Sequence, residues 1–188
     1  MSVIEKVRQK APLIHHLTNQ VVMNFTANGL LAFGGNPIMA KERAEASEMA
    51  SIADGVLINI GTMTEFDLEA FLLAGKVANK HRIPVVLDPV GVAATSFRKK
   101  AVETLLTEIY FTAIKGNAGE IAYLAGVEWK TKGVESADGD RERLEEIAIQ
   151  VAKKYKTIVI ITGEIDIITD GNTLKHNETG HIWLTKIT

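Results

Sequence analysis

The sequence predicts an α/β fold: a mostly parallel central sheet flanked by helices, with a short antiparallel β-meander at one edge. Short β-branched runs alternate with segments of helical period along most of the chain. Those helical segments are long enough to serve as right-handed crossovers between parallel strands. Toward the end the rhythm changes to short strands separated by turn clusters, the mark of antiparallel pairing.

Taken in order, Glu42 to Ala53 carries apolar residues at three-to-four spacing and reads as a helix, and Gly55 to Ile60 as a strand. Thr64 to His81 is the next helix, with Glu69 and Lys76 on its solvent side, and Pro84 to Leu87 the next strand. Phe97 to Tyr110 and Phe111 to Ile114 repeat the pair, as do Arg141 to Tyr155 and Thr157 to Ile161. Between them Lys130 to Asp140 reads as a long surface loop. Ile165 to Thr169, Thr173 to His176 and His181 to Leu184 form the meander, joined by Asp170-Gly171-Asn172 and by Asn177 to Gly180. Residues 1–188 are expected to make one domain, incomplete at its C-terminus for the reason given below.

Composition narrows the function classes. The 188 residues are 46% apolar, enough for a substantial core. Lys and Arg number 21 against 23 Asp and Glu, scattered along the chain, so no basic stripe suits a nucleic-acid backbone. Glu5, Lys6, Arg8 and Lys10 occupy the place where a signal peptide needs an apolar run, and no stretch approaches the roughly 20 apolar residues that cross a bilayer. A cytoplasmic protein is expected, with neither nucleic acid nor membrane as partner. The absence of cysteine excludes disulfides, thiolate metal sites and cysteine nucleophiles within these residues.

Ligands of an open parallel sheet collect at the carboxyl ends of its strands, where helix N-termini and unpaired amides point. There this chain places Asn59-Ile60-Gly61-Thr62, Asp88-Pro89-Val90-Gly91, Lys115-Gly116-Asn117-Ala118-Gly119-Glu120 and Thr162-Gly163-Glu164. Glycines admit close approach, Lys115 supplies a positive charge, and Asp88 and Glu120 supply carboxylates for a divalent cation. Such a rim suits an anionic ligand with Mg²⁺. Neither a P-loop nor a GxGxxG pattern is present, so the residues by themselves point only to a nucleotide-type enzyme.

Together with Thr18 to Asn24 and Asn36-Pro37-Ile38-Met39, these segments match hydroxyethylthiazole kinases in order and spacing, and the chain from about His15 to Thr188 closely resembles that family. The resemblance implies a ribokinase-like fold and transfer of the γ-phosphoryl of ATP, with Mg²⁺, to the primary hydroxyl of 4-methyl-5-(2-hydroxyethyl)thiazole in thiamine biosynthesis. It implies that Met39, Asn19, Gly61 and Thr62 contact the thiazole alcohol, that Lys115 and Thr162 bind ATP, and that Asp88 and Glu120 place the metal. It also implies a homotrimer with active sites between subunits, the Asn19 to Met39 segment of one facing the strand ends of another. Leu184 to Thr188 resembles the lead-in to the family's Gly-x-Gly-Cys or Gly-x-Gly-Asp loop. The resemblance therefore places no catalytic base within residues 1–188. Since one oxyanion donor alone can be worth about 2.7–4 kcal/mol, residues 1–188 by themselves are expected to be inactive. The missing helices would also cover part of the sheet, so exposed apolar surface is expected. Alternative functions are another ribokinase-like small-alcohol kinase, of hydroxymethylpyrimidine or pyridoxal type, and a non-catalytic binding or trimerising module.

Each residue also has a plainer reading. Asn117 and Glu120 fit a capping box, and Asn19 fits the N-cap of a helix beginning near Gln20. Met39 by pattern alone is core filler, Lys115 can snorkel, and Thr162 can start a turn. Asp88 ends a buried strand and needs a partner of some kind. His15 and His16 are adjacent in an extended segment and point to opposite faces, so no transition-metal site is expected from them. The charges of Arg141 to Glu146 read as a solvated helix face.

Overall fold

The computed structural model describes residues 1–129 and 137–180. Eight strands form one sheet in the order β2-β1-β3-β4-β5-β6-β7-β8. They are β1 (Leu13–Leu17), β2 (Asn36–Ile38), β3 (Gly55–Asn59), β4 (Val85–Asp88), β5 (Ala113–Asn117), β6 (Ile158–Thr162), β7 (Asp166–Thr169) and β8 (Leu174–Asn177). The pairs from β2 through β6 are parallel, whereas β6, β7 and β8 pair antiparallel. The mostly parallel sheet with a meander at one edge is therefore observed. The expected strand His181 to Leu184 lies outside the described residues.

Helices α1 (Val3–Lys10), α2 (Met23–Phe33), α3 (Arg43–Ile52), α4 (Glu65–Lys80), α5 (Ser96–Glu108), α6 (Ala118–Ala125) and α7 (Ala137–Tyr155) fill the connections. Their starts obey local chemistry: Ser2 with Glu5, Thr64 with Asp67 and Asn117 with Glu120 each close a reciprocal capping box that satisfies otherwise orphaned amides. The sequence pattern missed α1 and the short edge strand β2, and it placed the start of α7 late. Residues 137–140 of the expected loop are helical, and 130–136 lie outside the described residues.

Crossover handedness decides which face each helix covers. From β3 to β6 the chain steps along the sheet in one direction, so right-handed crossovers place α4 to α7 on one face; α3, stepping from β2 over β1 to β3, joins them. That face holds the core: Val56, Ile58, Val85, Leu87, Ile114, Val159, Ile161 and Ile167 are buried against Ala46, Phe71, Val102, Ile121 and Val151. The step from β1 to β2 runs the other way and puts α2 on the opposite face. There Leu57, Val86, Ile160 and Ile168 are only half-buried and Ile158 is exposed. Helix α2 itself buries no residue, leaving Phe25, Leu31 and Phe33 exposed in company with Val21. Exposed apolar surface was expected and is found on this side of the sheet. Among the described residues no helix is long and apolar enough to cross a membrane.

Candidate active site

Because β1 and β3 are neighbours while the chain leaves β1 toward β2, the strand order reverses between β1 and β3. A reversal of this kind opens a crevice at the carboxyl ends, and the structure has one there of about 530 Å³. It is lined by Thr18 and Asn19 after β1, Val22 at the cap of α2 with Phe25 and Thr26 on that helix, Asn59 at the end of β3 with Gly61 and Thr62 beyond it, and Asp88 at the end of β4 with Val90 beyond it.

A chain of side-chain amides organises its floor. The carboxamide of Asn19 donates to Asn59 Oδ1 at 2.9 Å, and its own carbonyl accepts from the amides of Val21 and Val22 at 3.0 and 3.1 Å. The expected cap at Asn19 thus shapes the turn leading into α2, while the helix proper begins later, at Met23. Asn59 Oδ1 also accepts from the Gly61 amide at 2.9 Å, and Asn59 Nδ2 donates to Asp88 Oδ2 at 2.9 Å. The backbone amide of Gln20 donates to Thr62 Oγ1 at 3.0 Å, closing the loop after β1 onto the loop after β3. A Cβ on Gly61 would lie 2.9 Å from Asn19 Nδ2, so only glycine leaves room for this contact.

Asp88 is the hinge between this crevice and the rest of the rim. Lys115 Nζ lies 3.5 Å from its Oδ2. Burial pushes the Asp88 carboxyl above its usual range; Lys115 works against that, while the negative charge of Glu120 adds to it. Glu120 is turned back onto the backbone: its Oε2 accepts from the Asn117 amide at 2.8 Å and its Oε1 from the Gly91 amide at 2.9 Å. It lines a second hollow of about 450 Å³, with Gly91, Asn117, Tyr123 and Trp129. Thr162 Oγ1 donates to Gly116 O at 3.3 Å, in register with Asn117 on the neighbouring strand.

The expected site residues therefore share one rim, as parallel strands require, but they do not line one cavity. Asn19, Gly61, Thr62 and Asp88 meet in the 530 Å³ crevice; Glu120 faces the second hollow, and Lys115 and Thr162 line neither. Met39 lies just past the end of edge strand β2, beyond β1, and does not line the crevice of its own chain. The segment after it is fixed by His15, whose Nε2 pairs with Ala40 O at 2.7 Å, and by Lys41, 3.0 Å from Asp67.

Sequence reasoning passed over Arg98 altogether. Its guanidinium, at the start of α5, donates to Ile60 O at 3.1 Å, to Val90 O at 2.6 Å and to Gly61 O. Nothing in the pattern marks an arginine in the first turn of an amphipathic helix as more than a solvated charge, because its acceptors are backbone carbonyls distant in sequence.

Comparison with known proteins sets this rim in a family. The profile of the Hydroxyethylthiazole kinase family matches residues 4–188. The chain belongs to that family. Over its whole length it is 56% identical to hydroxyethylthiazole kinase 1 of Oceanobacillus iheyensis, of which it spans 72%. The solved hydroxyethylthiazole kinase of Pyrococcus horikoshii OT3 superposes on 97% of the chain at 37% identity with a TM-score of 0.87, and 68% of that protein is covered. A phosphomethylpyrimidine kinase from Clostridium difficile 630 shares the fold at 14% identity, with a TM-score of 0.61 over 90% of this chain and 85% of its own. The ribokinase-like architecture implied by the family resemblance is the one found.

Within the family frame, the carboxylates fit a hard divalent cation. Asp88 is a half-buried carboxylate whose charge burial disfavours, its Oδ2 is engaged by Asn59 and Lys115, and no hydrogen bond among the described residues reaches its Oδ1. Such an oxygen suits Mg²⁺, which is bound through one or two carboxylates and keeps much of its water. Glu120, with each oxygen already accepting one amide, fits the water shell of such an ion better than direct ligation.

Proposed function

We propose that this rim binds 4-methyl-5-(2-hydroxyethyl)thiazole and MgATP for transfer of the γ-phosphoryl to the primary hydroxyl, a step of thiamine biosynthesis carried out in the cytoplasm. The observation that carries the reading is the position of the 530 Å³ crevice: it lies at the switch point, has an apolar wall in α2, and ends on Asp88. A flat heterocycle suits the wall of Val22 and Phe25, with Asn19, Gly61 and Thr62 as its polar contacts. The hydroxyethyl arm then points along the rim toward Asp88 and Lys115. Lys115 and Thr162 would serve the phosphates of ATP, Asp88 would hold Mg²⁺ and Glu120 would hold its water shell. A divalent cation held there would supply positive charge to offset the negative charge that develops on transfer. Residues 1–188 bind and position in this scheme, and the base that takes the hydroxyl proton is assigned to none of them.

Met39 enters the same scheme only from a neighbouring copy. It lies beyond β1 from the crevice, and the adjoining α2, with Val21 just before it, offers Phe25, Leu31 and Phe33 to solvent, an apolar face suited to burial between subunits. We propose a homotrimer in which Met39 of one subunit completes the crevice of the next. Calorimetric titration of the 188-residue chain with the thiazole alcohol should give saturable heat, and sedimentation should give a trimer. Heat from a hydroxymethylpyrimidine but none from the thiazole would overturn the substrate assignment, and a monomer at all concentrations would overturn the shared pocket.

A further inference from the structure

We propose that Arg98 is a positioning residue that sets the thiazole crevice by clamping its two rim loops together. The inference rests on the substrate reading above for its functional meaning, and on geometry for its physical basis. One guanidinium donates to Ile60 O and Gly61 O in the loop after β3 and to Val90 O in the turn after β4. Those loops contribute Gly61, Thr62 and Val90 to the crevice wall.

Parallel neighbours have no backbone pairing past their last residues, so the loops that follow β3 and β4 are not held by the sheet. The register of the two strands ends at Asn59 and Asp88. One further bond, from the Ile60 amide to Asp88 O, is long at 3.3 Å. Beyond it the Met63 amide reaches Ile60 O at a long 3.4 Å, and without Arg98 the carbonyls of residues 61 and 90 would be left to water. A planar fork with several fixed donors can collect carbonyls from two loops at once, which a lysine ammonium on a flexible stem does less well. The clasp has a second effect. With these carbonyls drawn toward Arg98, the Gly61 amide is left to Asn59 and the Gly91 amide to Glu120. The turn after β4 is thus gripped from both sides, by Arg98 at Val90 O and by Glu120 at Gly91. Gly91 adopts φ +64°, a backbone conformation that a side chain would resist.

The test uses the whole 188-residue chain with Arg98→Ala, Arg98→Lys and a control, Val102→Ala, which opens a buried position one turn further along the same helix and removes no hydrogen bond to either loop. Amide hydrogen exchange reads the clasp whether or not any ligand binds. The amides of residues 61–63 and 91–92 should exchange about tenfold faster or more in Arg98→Ala, with the amides of α4 unchanged and with no such local change in Val102→Ala. Unaltered exchange at those loops would overturn the proposal. Calorimetry with the thiazole alcohol reads the function. Binding should weaken by about 30-fold in Arg98→Ala, recover part-way with millimolar guanidinium, and lie between the two in Arg98→Lys. If Arg98→Ala binds as tightly as the parent chain, or if Val102→Ala loses as much, Arg98 does not set the crevice. A parent chain that gives no heat with the thiazole alcohol would instead sink the substrate reading, leaving the exchange experiment to judge the clasp.

Discussion

The two halves of the strand-end rim are built differently. Around β1, β3 and β4 the loops are bound to one another by side-chain amides and a guanidinium, with most contacts between 2.6 and 3.1 Å and with Asn19 and Asn59 almost fully buried. Around β5 and β6 Glu120 is held as closely, by the Asn117 and Gly91 amides at 2.8 and 2.9 Å, but the cation and the hydroxyl are not: 3.5 Å from Lys115 to Asp88, 3.3 Å from Thr162 to Gly116 O. The first half is finished before a ligand arrives, as a selective pocket for a small neutral heterocycle needs to be. The second half leaves charge unspent, which suits a ligand that brings phosphates and a metal ion.

The comparison can be broken most decisively at Asn59. Asn59→Ala removes the partners of Asn19 Nδ2, the Gly61 amide and Asp88 Oδ2 together and leaves the amide nitrogen of the buried Asn19 unpaired. A loss of about 3 kcal/mol is expected, visible in thermal unfolding as a Tm lower by roughly 6–12 °C. A smaller effect would mean that the amide chain is replaceable by water. The glycines offer a paired measurement. Gly61→Ala forces a Cβ against Asn19 and should cost about 1–3 kcal/mol, whereas at Gly163 the nearest obstacle is Ile165 O at 3.4 Å and the change should stay within about 0.5 kcal/mol. Equal costs at the two sites would erase the distinction between the halves.

Asp88 should behave as a functional carboxylate held against its own preference. Its folded-state pKa lies above the usual 3.8, so the stability linked to its protonated form is full below that value and lost as pH rises through the folded one. Asp88→Asn should therefore raise Tm at pH 7, by about 2–4 °C, with the advantage closing as the pH falls through the raised folded value toward 3.8, while Mg²⁺-dependent nucleotide binding is lost. The histidines of β1 run the other way. Burial lowers His15 and His16 below 6.5, so their contribution is full above that pH and fades as the pH falls through the folded values. The Tm difference between pH 7 and pH 5 should shrink in His16→Gln. The smallest effect on stability is expected at Lys115, whose side chain is 43% exposed. Lys115→Met should leave unfolding within about 0.5 kcal/mol of the parent while weakening MgATP binding in calorimetry about tenfold.

Much of this was legible in the sequence, for a local reason. The capping box at Asn117 and Glu120 is both read and found because its partners lie within three residues of each other. Strands β3 to β8 announce themselves by β-branched runs, with bounds shifted by one to three residues. The edge strand β2 did not, since Asn36-Pro37-Ile38 is short and carries a proline, and an edge position alone excuses it. The start of α7 was placed late because Ala137 to Asp140 combines small and acidic residues that mark turns as readily as a helix's first turn.

The sequence by itself determined the fold class, the family and the fact that Gly61, Thr62, Asp88, Lys115, Glu120 and Thr162 stand at strand ends, since strand period follows from local pattern and the intervening helices imply parallel strands. Tertiary structure decided how those residues are divided: the order reversal at β1 and β3 opens the crevice for some of them, and the turn of Glu120 toward Gly91 sends it to another hollow. It also decided that Arg98 reaches the loops of the rim. A bond from a side chain to a backbone carbonyl 37 residues away leaves no trace in the identity of the acceptor, because every residue presents the same carbonyl.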